Sequence, residues 1–175
     1  MPSGSSDEVS RRSDGEEWDG DVNVRRVDVS AEAADMVRRL RADHGPVMFH
    51  QSGGCCDGSS PMCYPKGDFL TGDADAFLGT IDVRAPRTDG EPTDGEPAEG
   101  EPAGDDLVEV WMSAAQFAYW RHTHLTIDIV PGRGAGFSLE GPTGFRFLIR
   151  SRLFTDDEYA ELGETPPRVG VQAPT

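Results

Sequence analysis

Three cysteines, Cys55, Cys56 and Cys63, lie close together in the segment from His50 to Tyr64. Thiolates are strong ligands for zinc, copper(I) and iron–sulphur species. An odd number of cysteines in one loop is not a disulfide framework, and in a reducing cytoplasm such clusters more often bind metal or do redox chemistry. The glycines around them let the backbone approach a ligand and expose amide groups that stabilise thiolate charge. The segment therefore predicts a site for a metal ion (Zn, Fe or Cu) or an iron–sulphur cluster.

The spacing of the thiols narrows this ligand set. Adjacent cysteines rarely bind one tetrahedral ion together because successive side chains diverge, so Cys63 with either Cys55 or Cys56 is the better pair. Loop cysteines alone are too few for a closed four-coordinate site, which histidine, a second subunit in a homodimer or an exogenous ligand would have to complete. The predicted metal ligands are Cys55, Cys56, Cys63, His50, His122 and His124.

Two other uses of these residues stay open. In a thiol enzyme, Cys55 or Cys56 would be the nucleophile and His50 or His124 the base. Alternatively, the thiols are structural and each histidine is a surface or hydrogen-bonded residue. No GxSxG, HExxH, P-loop or Rossmann pattern occurs, so other catalytic classes have little support. The glycine-rich run after residue 131 lies between two predicted strands, which indicates a tight turn in which Arg133 can contact an anion.

Hydrophobic periodicity predicts an α+β, mostly β protein with one clear helix. Ser30 is a good N-cap for a helix over 31–43 with one apolar stripe, and Gly45 and Pro46 end it. A second, short helix is predicted from Ser113 to Trp120. Strands are predicted over Val27–Val29, Val47–His50, Val108–Met112, Leu125–Val130, Phe137–Glu140 and Phe145–Ile149, the last two as a hairpin.

Three acidic segments fall outside this pattern. Residues 1–25 and 156–175 are predicted to be flexible tails, because they are polar and contain few large apolar groups. Residues 85–106 carry a repeated Asp-Gly-Glu-Pro or Glu-Gly-Glu-Pro unit, which predicts a solvated, disordered insertion. The remaining chain, from 26 to 155, is predicted to form a single domain.

The net charge of −16 argues against a nucleic-acid partner, because neutralising phosphates requires an excess of Lys and Arg. No apolar stretch is long enough to span a membrane, and the N-terminus lacks the basic and apolar parts of a signal peptide. These features predict a cytoplasmic protein without membrane contact. The excess of Asp and Glu with a single Lys also suits a high-salt cytoplasm, where salt screens self-repulsion; codon bias with acidic tails is the alternative explanation.

Three longer motifs occur along the chain: His50–Pro65, then Gln116-Phe-x-Tyr-Trp-x-His-Thr-x-Leu125, then Asp128-Ile-Val-Pro-Gly-Arg-Gly-x-Gly-Phe-Ser-Leu-Glu140. Together they resemble the family called domain of unknown function 779 (DUF779). The resemblance covers about 27–155 without the repeat insertion. Members of this family are often encoded near aldehyde or alcohol dehydrogenases. The resemblance therefore implies a non-enzymatic accessory partner of such a dehydrogenase as one alternative function.

A second, more distant likeness rests on the order of a helix, a strand and Ser52-Gly53-Gly54-Cys55, followed later by a strand around Asp128. This order is similar to that of the A-type iron–sulphur carriers, which have the HesB-like fold. The likeness implies a strand-rich pseudo-barrel with one packed N-terminal helix, in which this loop supplies a cluster thiolate. The carriers' C-terminal Cys-Gly-Cys has no counterpart after Cys63, so Cys63, His122 or His124 would have to replace it.

Overall fold

A computed structural model describes residues 24–54, 56–84 and 104–162 of the chain. The predicted N-terminal tail up to residue 23, most of the predicted insertion and the end of the predicted C-terminal tail lie outside these residues. The described part is strand-rich and mixed, with three helices and two sheets, which confirms the predicted α+β class. Its strands are β1 (Val27–Val29), β2 (Val47–Gln51), β3 (Met62–Pro65), β4 (Asp75–Asp82), β5 (Leu107–Ser113), β6 (Thr123–Pro131) and β7 (Phe145–Leu153).

The first helix, α1 (Ala31–His44), forms for the reasons the sequence indicates. The Ser30 hydroxyl accepts a hydrogen bond from the Ala33 amide at 3.2 Å and so caps the N-terminus. At the other end, Gly45 has φ of +78°, and its amide donates to the Arg41 carbonyl oxygen at 2.9 Å. The helix buries one apolar stripe, made of Ala33, Ala34, Met36, Val37 and Leu40.

The two sheets are separate and share one apolar core. Their strand orders are β1-β6-β7 and β3-β2-β5-β4, with β1 parallel to β6, β2 parallel to β5 and the other pairs antiparallel. Phe49 of β2 meets Phe147 of β7 edge to face, with ring centroids 4.9 Å apart, and both side chains are fully buried. Each such burial contributes roughly 1.5–3 kcal/mol. Within the described residues the two sheets do not close into a barrel, so the predicted pseudo-barrel is not seen there.

The segment from Phe137 to Glu140 is not a strand, so the predicted hairpin with the following strand is wrong. It belongs instead to a loop that turns twice, with the Ser138 amide bonded to the Ala135 carbonyl and the Gly141 amide to the Ser138 carbonyl. A 3₁₀ turn follows at Gly141–Thr143. The antiparallel partner of β7 is therefore β6.

Two further helices complete the described chain. The predicted short helix is α2 (Ala114–Trp120), capped by the Ser113 hydroxyl on the Gln116 amide. The predicted C-terminal tail begins with a third helix, α3 (Asp156–Leu162), in which Leu162 is buried. None of the described helices has the length and apolar character needed to cross a membrane.

Candidate functional site

His50 lies near the end of β2, between β3 and β5, where its register partners are Met62 and Trp111. Its side chain is only 2% exposed. One face of the imidazole ring packs against Phe69, with ring centroids 4.2 Å apart, and Phe69 in turn stacks on Tyr64 at 5.0 Å. These contacts fix the plane of the ring and keep water from that face.

Both ring nitrogens of His50 make hydrogen bonds. Nε2 lies 2.8 Å from Oδ1 of Asp75, and Nδ1 lies 2.7 Å from the hydroxyl of Ser52. The second oxygen of Asp75 accepts the Gly72 amide at 2.9 Å. Because an ionised carboxylate only accepts, Nε2 must carry the proton, which leaves the Nδ1 lone pair to accept from the Ser52 O–H. Ser52 is exposed, so this chain of hydrogen bonds runs from the partly buried Asp75 carboxylate through the buried His50 ring to the surface.

The loop that follows Ser52 is held by side chains from two elements. Trp120 of α2 donates its indole N–H to the Gly54 carbonyl at 3.1 Å, and the Gln51 amide group donates to the Gly53 carbonyl. Gly54 has φ of +101°, and a Cβ atom there would overlap the Ser59 side chain, so the loop requires glycine at this position.

The second half of the loop joins the two sheets. Asp57 accepts hydrogen bonds from the amide and hydroxyl of Ser151 in β7. The Gly58 amide donates to the Ile149 carbonyl at 2.7 Å, and the Ile149 amide donates to the Ser59 carbonyl at 2.8 Å. The loop therefore covers part of the open edge of β7 and is anchored at both ends.

The predicted thiolate ligands do not share one environment. Cys55 lies outside the described residues, and Cys56 is exposed in the loop. Cys63 is fully buried on the core face of β3, whereas His50 lies on the opposite face of the same sheet. Burial, and then the charge of nearby Glu140, raise the pKa of the Cys63 thiol well above its ordinary value. The protein matrix therefore favours a neutral thiol at Cys63.

His122 and His124 lie in the other half of the molecule, at the start of β6. His122 is exposed; it accepts a hydrogen bond from the Arg121 side chain at 3.1 Å, and its ring packs near Tyr159 of α3. His124 is buried, with Nε2 2.9 Å from a carboxylate oxygen of Asp28 in β1. Each histidine thus has its own local partners, and no hydrogen bond or ring contact joins either one to a described residue of the cysteine loop.

Among residues 24–54, 56–84 and 104–162, no three His, Cys, Asp or Glu side chains gather closely enough to hold a metal ion. The arrangement that does come together is Asp75, His50 and Ser52. Of these, sequence reasoning named only His50. The position of Ser52, two residues after His50 and next to a strand end, was a usable signal, because residues two apart on a strand share a face.

Glu140 is a second buried polar group that sequence reasoning missed. It accepts hydrogen bonds from the Ser138 hydroxyl and the Phe147 amide, and the Ser138 hydroxyl in turn accepts the Cys63 amide at 2.8 Å. Burial raises the pKa of Glu140 and outweighs these hydrogen bonds, which lower it. The carboxyl group is therefore a structural link between β3, β7 and the loop before β7.

Together, fold and site define a small α+β protein with a carboxylate–histidine–hydroxyl chain beside a cysteine-rich loop. The family model for a domain of unknown function, DUF779, matches residues 36–153, which is well over half of the chain, and the chain belongs to that family. No curated protein and no solved structure matches it.

Proposed function

We propose that the chain is an acyl-transfer enzyme with Ser52 as its nucleophile, His50 as the base and Asp75 as the residue that positions the base. The observation that supports this is the hydrogen-bond chain Asp75–His50–Ser52, in which a partly buried carboxylate fixes the tautomer of the buried imidazole and the lone pair of the imidazole meets an exposed hydroxyl. The sequence predicted His50 as a possible base for a cysteine nucleophile. In this proposal His50 is still the base, but the nucleophile is the Ser52 hydroxyl.

The reaction that fits this arrangement is attack on an ester or thioester. The Ser52 oxygen bonds to the carbonyl carbon while its proton moves to Nδ1 of His50. The bond to the leaving alkoxide or thiolate then breaks, and that group takes the proton from Nδ1. Water, activated by the same nitrogen, later releases the acyl group as a carboxylic acid and restores Ser52.

Polar groups beside Ser52 support this role. The amides of Gly53 and Gly54 make no hydrogen bond to any described residue, so they are available to the oxyanion that develops on the carbonyl. The side-chain oxygen of Gln51 is buried and has no donor among the described residues. A buried acceptor without a partner costs about 1–3 kcal/mol, which a bound water or substrate donor would relieve.

The test is covalent labelling with a fluorophosphonate, which reacts with base-activated serines. We expect one adduct per chain on the peptide that contains Ser52, and slow release of p-nitrophenol from p-nitrophenyl acetate; both should disappear in Ser52→Ala. Ser60→Ala is the matched control, because Ser60 belongs to the same loop but its hydroxyl accepts from Arg146 rather than facing a base. No adduct at Ser52, or equal labelling of Ser52 and Ser60, would contradict the proposal.

A metal centre, as the sequence predicted, is the second candidate, and the same Asp75–His50 pair favours it. Histidines that bind metals commonly donate their other ring N–H to a carboxylate, as Nε2 of His50 does here. Nδ1 of His50 would then bind Zn, Fe or Cu, with thiolates of Cys56 and Cys55 as further ligands. Cys63, on the other face of the sheet, does not fit this set.

Elemental analysis of anaerobically prepared protein tests the metal centre. We expect stoichiometric metal that is lost in His50→Ala and in Cys56→Ser but kept in Cys63→Ser, the matched thiol control. Because a metal on Nδ1 displaces the Ser52 hydroxyl, the zinc-loaded protein should also lose fluorophosphonate labelling. Metal-free protein that binds no added zinc would eliminate this candidate. The HesB-like fold, an iron–sulphur cluster, a homodimer, a dehydrogenase partner and a cytoplasmic location stay predictions.

A further inference from the structure

An open cleft of about 430 Å³ lies between the C-terminal end of α1 and the loop between β6 and β7. Its polar lining includes His44 and Arg133, and its apolar lining includes Phe137, Leu139 and Pro142. The cleft shares no lining residue with the site at Ser52. Its volume falls within the range of small-molecule pockets, about 300–1,000 Å³.

Three arginines of the described chain, Arg39, Arg41 and Arg133, have side chains without an ion pair or hydrogen bond, and of these only Arg133 lines the cleft. Arg38, Arg84, Arg150 and Arg152 each form an ion pair with a nearby carboxylate. Arg133 has no ion pair or hydrogen bond with any described residue, and the same holds for the His44 side chain. In a chain of net charge −16, an arginine that faces a cleft without a carboxylate partner leaves its five donors for a ligand.

The backbone around Arg133 is shaped by glycine. Gly136 has φ of +46°, and a Cβ atom on Gly134 would lie 2.8 Å from the Cα atom of Gly141, so the two strands of this loop approach more closely than other residues allow. The backbone amides of residues 133–137 donate to no acceptor in the described part of the chain. Successive amide groups of this kind attract anions.

Phe137 provides the apolar side of the cleft. Its side chain is 92% exposed, the highest value among the large hydrophobic residues described as exposed. An exposed aromatic ring next to an unpaired guanidinium suits a ligand that has an anionic head and an apolar body. Leu139 and Pro142 extend the apolar lining on the same cleft.

We propose that this cleft binds a small organic monocarboxylate. The guanidinium of Arg133 holds the carboxylate through paired N–H donors, the loop amides add further donors, and Phe137 covers the apolar body. One arginine balances one negative charge, and the strongly negative chain disfavours ligands of higher charge. The planar guanidinium fork matches both carboxylate and phosphate oxygens, and the lower charge of the carboxylate is the reason to choose it over phosphate.

Titration of the full chain with benzoate, followed by NMR or calorimetry, tests the proposal, with the neutral isostere benzamide in parallel. We expect saturable benzoate binding that weakens about tenfold or more in Arg133→Gln, the size expected for loss of a charge-assisted hydrogen bond. Phe137→Ala should weaken it several-fold, and benzamide should bind at least tenfold more weakly. Arg39→Gln is the matched control, because Arg39 is an exposed arginine of α1 that does not line the cleft.

Equal affinity of the wild type and Arg133→Gln for benzoate, or equal affinity of the wild type for benzoate and benzamide, would overturn the proposal. Circular dichroism checks that each variant is folded. The inference is independent of the acyl-transfer proposal, since Ser52→Ala should bind benzoate like the wild type. Protection of Ser52 from labelling by benzoate, together with loss of benzoate binding in Ser52→Ala, would instead place the benzoate site at Ser52 and also overturn the proposal.

Discussion

Replacing Asp75 with Asn is expected to slow acylation of Ser52 by about 10²–10⁴-fold without unfolding the protein. The reason is the hydrogen bond from the Gly72 amide, which occupies one oxygen of Asp75. An Asn side chain keeps its carbonyl oxygen on Gly72 and turns its NH₂ group toward Nε2 of His50. Nε2 must then accept, so the ring proton moves to Nδ1, which can no longer take the proton of Ser52.

The measurement is the pseudo-first-order rate of fluorophosphonate labelling at Ser52, compared with the melting temperature of each variant. Asp73→Asn is the matched control, because Asp73 lies in the same turn, is exposed and makes no contact with His50. A rate in Asp75→Asn that equals the control rate would show that the carboxylate does not set the tautomer of His50. Loss of folding in Asp75→Asn alone would show a structural role for the pair.

Much of the fold follows from local sequence signals. Ser30 and Gly45 mark the two ends of α1 because each satisfies a terminal backbone group of the helix, the Ala33 amide and the Arg41 carbonyl. Strands β2, β5 and β6 are long enough in apolar or alternating residues to be predicted, and each differs from its prediction only at the ends. These are the elements for which the nearest neighbours in sequence decide the conformation.

The segment from Phe137 to Glu140 shows where such signals fail. Its sequence predicts a strand, and an alternating strand on a core places its apolar side chains inside and its polar ones outside. The structure has the opposite arrangement: Phe137 is exposed, whereas Ser138 and Glu140 are buried. The polar groups are inside because they satisfy backbone amides of Cys63 and Phe147, which are distant in sequence.

Local sequence signals also identify only part of the candidate site. His50 could be identified from its place beside the cysteine loop, and Ser52 from its spacing to His50. Asp75 could not, because it belongs to β4, and the strand order places β5 between β4 and β2. A contact across an intervening strand depends on sheet topology and register, which no short-range pattern encodes.

The largest expected effect on stability is at Glu140. Glu140→Ala removes the acceptor of the Phe147 amide and of the Ser138 hydroxyl, both buried, at about 1–3 kcal/mol for each unsatisfied group. We therefore expect the free energy of unfolding to fall by about 3 kcal/mol or more, measured by urea denaturation. Glu140→Gln should lose less, since its side-chain oxygen can still accept from Phe147. Equal stability of Glu140→Ala and the wild type would mean that these groups find other partners.

The pH dependence of the free energy of unfolding distinguishes the effect of the Glu140 charge on stability from the effect of its hydrogen bonds. Since burial raises its pKa in the folded state, Glu140 contributes stability that is fully present below its unfolded pKa and lost as the pH rises through the folded pKa. Glu140→Gln should lack this loss of stability as the pH rises above the ordinary pKa of a glutamate. Glu109 is a control because its pKa is shifted in the opposite direction. Burial raises the pKa of Glu109, but hydrogen bonds from Lys66 and Trp111 outweigh burial and lower it. The contribution of Glu109 to stability is therefore lost as the pH falls. Glu109→Gln should flatten the acid side of the plot of unfolding free energy against pH. A stability curve of Glu140→Gln parallel to that of the wild type would show that the carboxyl group has the same pKa in the folded and unfolded chains.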